Sequence, residues 1–250
     1  LDVLAWTGFV ASGVACFLGV MAKENAVLAI PASFLVEYLC FQSARFDRVV
    51  PFRITLALGC AAAIALLFAV LSGSDFGGVL DYRNRPFSVS ERLFTQGRVL
   101  FDYVGQILWP RVDSMGLYKD SYLPSAGALS PASTVVALIA WAAIIMIAVR
   151  VRWRQRLISL GILLFLCLHL MESTVLPLLL YFEHRNYLAL LGVLLAAWSI
   201  GAWILSWIPR LQNRLRGKPL IVLVSAALLL FVYQTGGRVI DWGDRNRLWV

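Results

Sequence analysis

Residues 181–187 read YFEHRNY and put a carboxylate, an imidazole, a guanidinium and an amide into one short stretch between leucine-rich segments. A guanidinium is a rigid fork matched to phosphate, and an imidazole gives or takes a proton near neutral pH. If a helix begins near Asn186, its first unpaired N–H groups add to an anion site. Glu183, His184, Arg185, Asn186 and Tyr187 are therefore candidates for holding an anion. The plainer alternative is an interfacial turn anchored by Tyr187.

Three other groups offer related chemistry. Lys23-Glu24-Asn25 interrupts two apolar runs and would form either one wall of a polar pocket or an outer turn with a snorkelling lysine. His169 and Glu172 stand at i,i+3, on one face of a helix. An ionisable group within an apolar run faces protein or a water-filled cavity, and Pro177 just beyond would kink the helix and free carbonyls. Asp81-Tyr82-Arg83-Asn84-Arg85, followed by Arg92 and Arg98, clusters arginines suited to a lipid phosphate or to a solvated loop near headgroups. None of the four is specific alone; their convergence on one face of the molecule carries the signal.

The elements that position these groups are greasy. The 250 residues are 60% hydrophobic and 14% charged, with mean hydropathy +0.79, against about 45–50% apolar and about 25% charged for a soluble domain. A bilayer is the expected solvent. The expected fold is all-α, a polytopic membrane helix bundle with about seven spans near 3–21, 26–41, 54–72, 132–149, 157–180, 187–208 and 219–234. RLFTQGRVLFDYVGQILW (92–109) is long enough to span, but crossing would bury Arg98 and Asp102 and invert all later topology. It is expected as an amphipathic helix on the outer surface.

The net charge is +8. Three linkers, QSARFDRVVPFR, RVRWRQR and PRLQNRLRGK, hold eleven of the 22 Lys and Arg against one acid, Asp47. They mark the cytoplasmic side. The basic balance is a topology signal, and no aromatic-interleaved basic patch calls for nucleic acid. Cys16, Cys40, Cys60 and Cys167 are single and read as small buried hydrophobes, with no metal-binding spacing among them. The outer face then collects Lys23-Glu24-Asn25, the loops at 72–91 and 110–131, FEHRNY and the tail from Thr235. Residues 1–234 form the expected bundle and 235–250 the start of an extracytoplasmic junction. Leu1 begins in mid-pattern, so the chain reads as N-terminally incomplete.

Several stretches resemble one family in order. They are MAKENAVLAIPASFLVEY, ERLFTQGRVLFDYVGQILWP, MESTVLPLLLYFEHRNYLALLG and the tail RVIDWGDRNRLWV. Together they are similar to bacterial GT-C-like membrane proteins with C-terminal tetratricopeptide repeats, relatives of the transmembrane-and-TPR protein O-mannosyltransferases. Ala189-Leu190 stands where that family often has Pro-Ser, and the repeats themselves are not in this chain.

The resemblance implies an inner-membrane, multi-pass glycosyltransferase moving a sugar from a polyprenyl-phosphate donor to an extracytoplasmic protein or glycan acceptor. It implies a catalytic carboxylate in a loop preceding Leu1. It also implies a donor phosphate held by Lys23, Arg83, Arg85, His184 and Arg185, with Glu24, His169, Glu172, Glu183, Asn186 and Tyr187 orienting them. No cofactor is fixed, and a divalent metal stays open. The alternative is a non-catalytic membrane scaffold or assembly factor that presents repeats and binds lipid headgroups. A transporter is the weaker third reading, because most of the spans hold no polar residue at mid-depth.

Overall fold

A computed structural model describes residues 3–41, 81–110, 122–210 and 217–243. Among the described residues the protein is all-helical, without a β-strand. In chain order come α1 (Val3–Ala22), a 3-10 turn (Glu24–Leu28), α2 (Ala29–Cys40), α3 (Val89–Leu108), α4 (Ala132–Val151), α5 (Arg156–Leu168), a second 3-10 turn (Glu183–Arg185), α6 (Asn186–Ser206) and α7 (Lys218–Gly243). The span expected at 54–72, the basic linker at 42–53, Cys60 and residues 244–250 lie outside the described residues.

Local chemistry sets several helix ends. Ser88 and Glu91 cap α3 reciprocally: the Glu91 N–H donates to Ser88 Oγ at 3.3 Å and the Ser88 N–H donates to Glu91 Oε2 at 2.7 Å. Pro110 follows the end of α3. Pro31 sits in the first turn of α2, where an absent N–H removes no helical bond.

Two described helices are long and apolar enough to cross a membrane, Ala132–Val151 and Glu183–Ser206, the latter being α6 with the turn before it. Val10–Ala22, Asn25–Cys40, Arg156–Leu168 and Val224–Ile240 are apolar but shorter. By length the expectation of about seven spans is met at two. The expected span at 157–180 is corrected: α5 stops at Leu168, and residues 169–182 follow an irregular path. At the other end, α7 continues through residue 234 to Gly243, so the expected boundary before the tail falls inside a helix.

α5 packs among α2, α4 and α6, and α3 lies against α4 and α6. The α5–α6 crossing is the tightest. A Cβ on Gly161 would stand 2.6 Å from the Gly192 carbonyl oxygen and 2.5 Å from the Ala196 nitrogen; a Cβ on Gly192 would stand 2.6 Å from the Gly161 oxygen. Only glycine at both places lets the two backbones meet. Beside this crossing lies an aromatic core of Tyr103, Trp141, Phe165 and Tyr181 with Val99, Ala189 and Val193. Trp141 stacks on Phe101 at 4.4 Å between centroids and donates its indole N–H to the Gly97 carbonyl at 2.9 Å.

Candidate functional site

The site forms where the irregular stretch after α5 meets the two 3-10 turns. The helix ends at Leu168, and Pro177 cannot donate, so carbonyls along 172–180 have no helical partner. Side chains take them over. Arg92 of α3, fully buried, donates from Nε to the Thr174 carbonyl at 2.9 Å, from Nη2 to the Glu172 carbonyl at 2.5 Å, and from Nη1 to the Leu178 carbonyl and, at 3.4 Å, to that of Leu179. Gln96 donates to the Leu180 carbonyl at 2.8 Å, Tyr82 to that of Val175 at 2.6 Å, and Arg185 to that of Leu179 at 2.7 Å. The Tyr103 hydroxyl donates to the Phe182 carbonyl at 3.1 Å and accepts the Phe182 N–H at 2.8 Å. Arg92, Thr95, Gln96, Val99 and Tyr103 share the buried face of α3. The amphipathic helix expected on the surface thus turns a polar stripe toward the chain break.

On this platform sits a buried ion pair. Arg185 Nε lies 3.2 Å from Glu172 Oε2, each side chain 7% exposed. The Asn25 side-chain amide donates to the other oxygen, Oε1. That bond joins the first 3-10 turn to the irregular stretch across 147 positions of sequence. It brings Lys23, Glu24 and Asn25 to the turn that carries Glu183, His184 and Arg185. Lys23 and His184 are both exposed, and the His184 ring lies within electrostatic reach of Lys23 and Arg185.

His169 lies beneath, 1% exposed, between Phe165 and Tyr103 at 4.6 and 5.4 Å. Its Nδ1 faces the Phe165 carbonyl at 3.0 Å, and a carbonyl only accepts, so Nδ1 carries hydrogen. In the neutral ring Nε2 is then an acceptor beside the Asn186 amide. His169 and Glu172 are buried together as the sequence suggested, but in a turn beyond α5 rather than on a helix face.

Charge within this group does not balance. Among the described residues two guanidiniums, Arg92 and Arg185, accompany one carboxylate, Glu172. Burial pulls Arg92 down to about 10, and the neighbouring Arg185 and Arg85 charges add to that, yet the group stays cationic at neutral pH. Half-buried Arg85 therefore borders the site.

The other candidates divide. Glu183 accepts from Gln106 Nε2 at 3.2 Å and pairs with Arg238 of α7 at 3.6 Å, linking the turn to the last described helix. Tyr187 is 76% exposed. Arg83 bonds Asp81 within its own loop at 2.8–3.0 Å and stays 86% exposed. Arg98 turns to the Leu123 carbonyl and Ser125 Oγ, both at 3.3 Å. Arg92 is occupied by carbonyls and is no open grip for a headgroup. The helix start at Asn186 is also not open, because the preceding 3-10 turn already takes the N–H groups of Arg185 and Asn186.

Among the described residues no three His, Cys, Asp or Glu side chains gather as a metal-holding group. Gln96 and Tyr103 were missed as parts of the site, and Arg92, expected in an open arginine cluster, instead clamps backbone; the spacing of the three along one helix face was the available signal. No family model, curated protein or solved structure matches the chain.

Proposed function

We propose that this chain is the membrane portion of a GT-C-like glycosyltransferase, a polytopic bundle of the inner membrane whose elaborate loops face away from the cytoplasm. It transfers a sugar from a polyprenyl-phosphate donor to an extracytoplasmic protein or glycan. The observation that carries the reading is the Asn25–Glu172–Arg185 chain, which joins two distant motif turns and, among the described residues, sets two guanidiniums, Arg92 and Arg185, beside one carboxylate. Exposed Lys23 and His184, with Arg85 at the border, meet the donor phosphate. Arg185, half neutralised by Glu172, keeps its place behind them. Charge that develops on a leaving phosphate is what fixed cations stabilise most.

The runner-up is a scaffold or assembly factor that presents tetratricopeptide repeats. One observation favours it: the Arg185 fork is already engaged by Glu172 and the Leu179 carbonyl. Mass spectrometry of surface proteins and glycans in a deletion strain and its parent separates the two. The transferase reading predicts a missing sugar modification that is restored by the native gene and not by Lys23→Ala. Unchanged glycosylation supports the scaffold.

A further inference from the structure

Arg92 raises a separate question, because a fully buried arginine commonly faces a carboxylate and this one, among the described residues, bonds only backbone carbonyls. Those carbonyls belong to Glu172, Thr174, Leu178 and Leu179, on both sides of Pro177. In an apolar setting each unpartnered carbonyl is costly, and irregular backbone persists only where protein groups satisfy it. A planar fork with five donors spans several acceptors at fixed angles; a lysine ammonium with three donors on a flexible stem does not.

We propose that Arg92 is the positioning residue of the site. Its guanidinium replaces the helical bonding lost between 172 and 179, and by fixing the Glu172 backbone it holds the Glu172 carboxylate against Arg185 and Asn25. Arg92 touches no ligand and acts through the chain it clamps. Gln96 and Tyr103 extend the clamp to Leu180 and Phe182, so α3 is the template on which the break is shaped. The proposal rests on the reading above only for the use to which the positioned pair is put.

The test is the labelling rate of a cysteine placed in the break. In a chain whose Cys16, Cys40, Cys60 and Cys167 are replaced by alanine, Ser173→Cys reports on the break. Ala137→Cys, at a buried position on α4, reports on the bundle. Each is treated with a water-soluble maleimide in detergent. Arg92→Lys keeps the charge and loses the fork; it should raise labelling at position 173 about tenfold, as expected when charge-assisted bonds are lost and a segment opens locally. Arg92→Gln should raise it at least as far, and position 137 should stay unreactive in both. An unchanged rate at 173 in both variants would overturn the proposal. So would an equal rise at 137, since Arg92 would then hold the whole bundle rather than the break. No donor lipid enters the assay, so this proposal and the transferase reading fail separately.

Discussion

Glu172 and Arg185 form an ion pair of 3.2 Å with each side chain 7% exposed, and the Asn25 amide bonds the second oxygen of the same carboxylate. A cation and an anion withdrawn from water this far depend on each other: removing one partner leaves the other buried and uncompensated, at a cost of about 3–5 kcal/mol. Glu172→Gln should therefore lower the thermal midpoint of the detergent-solubilised protein sharply. The double variant Glu172→Gln with Arg185→Gln should lose less than the sum of the single changes. Additive losses in the thermal melts would show that the two side chains do not act as a pair.

The α5–α6 crossing gives a steric prediction. Ala at Gly161 or Gly192 drives a methyl to within 2.5–2.6 Å of backbone, which must move. A cost of about 1–3 kcal/mol is expected for each. Gly201, on the same helix as Gly192, has nothing within 4 Å of where a Cβ would stand, so Gly201→Ala should be silent or slightly stabilising. Size-exclusion profiles and melting curves of the three variants check this.

The helix cap of α3 predicts a response to acid. Glu91 is held below the ordinary carboxylate range, first by the Ser88 N–H and then by the Ser88 hydroxyl. A folded value below the unfolded one contributes stability above the unfolded value, and that contribution is lost as pH falls through the folded value. Native protein should lose part of its stability between the ordinary glutamate range and the lower folded value. Glu91→Gln should flatten that acid limb while leaving neutral stability slightly reduced. Melting midpoints across an acid series for both proteins give the comparison.

What could be read in the sequence was whatever a local pattern fixes. The apolar runs of α4 and α6, the start of α6 at Asn186 and the stop of α3 before Pro110 all have cues within a few residues. The break after Leu168 does not. Residues 157–180 read as one apolar run, because periodicity cannot tell a helix that continues from one that stops where a distant partner takes the carbonyls. That partner, Arg92, lies 80 positions away from Glu172. Its neighbours suggested an exposed arginine cluster, and its burial rests on acceptors that backbone conformation alone supplies. The same limit hid the role of Asn25, whose bond to Glu172 spans 147 positions.

Electrostatic steering makes a further prediction for the rim. If Lys23 and His184 face an anionic headgroup, association with phosphorylated lipid should weaken with salt. Lys23→Glu should weaken it most, since it reverses a charge beside His184. Exposed Arg83, already paired with Asp81, should matter least; Arg83→Ala should bind as the native chain does. Vesicle co-sedimentation at low and high salt would show this ranking.

The most direct measurement is the affinity of the native chain in lipid nanodiscs for a polyprenyl phosphate, set against Lys23→Ala and His184→Ala. Loss of one charge-assisted contact to phosphate corresponds to about tenfold or more in affinity. A saturable interaction is predicted, weakened by at least that factor in each of the two variants and unchanged in Arg83→Ala. Equal affinity for polyprenyl phosphate in the native chain and both rim variants would contradict a phosphate-holding rim.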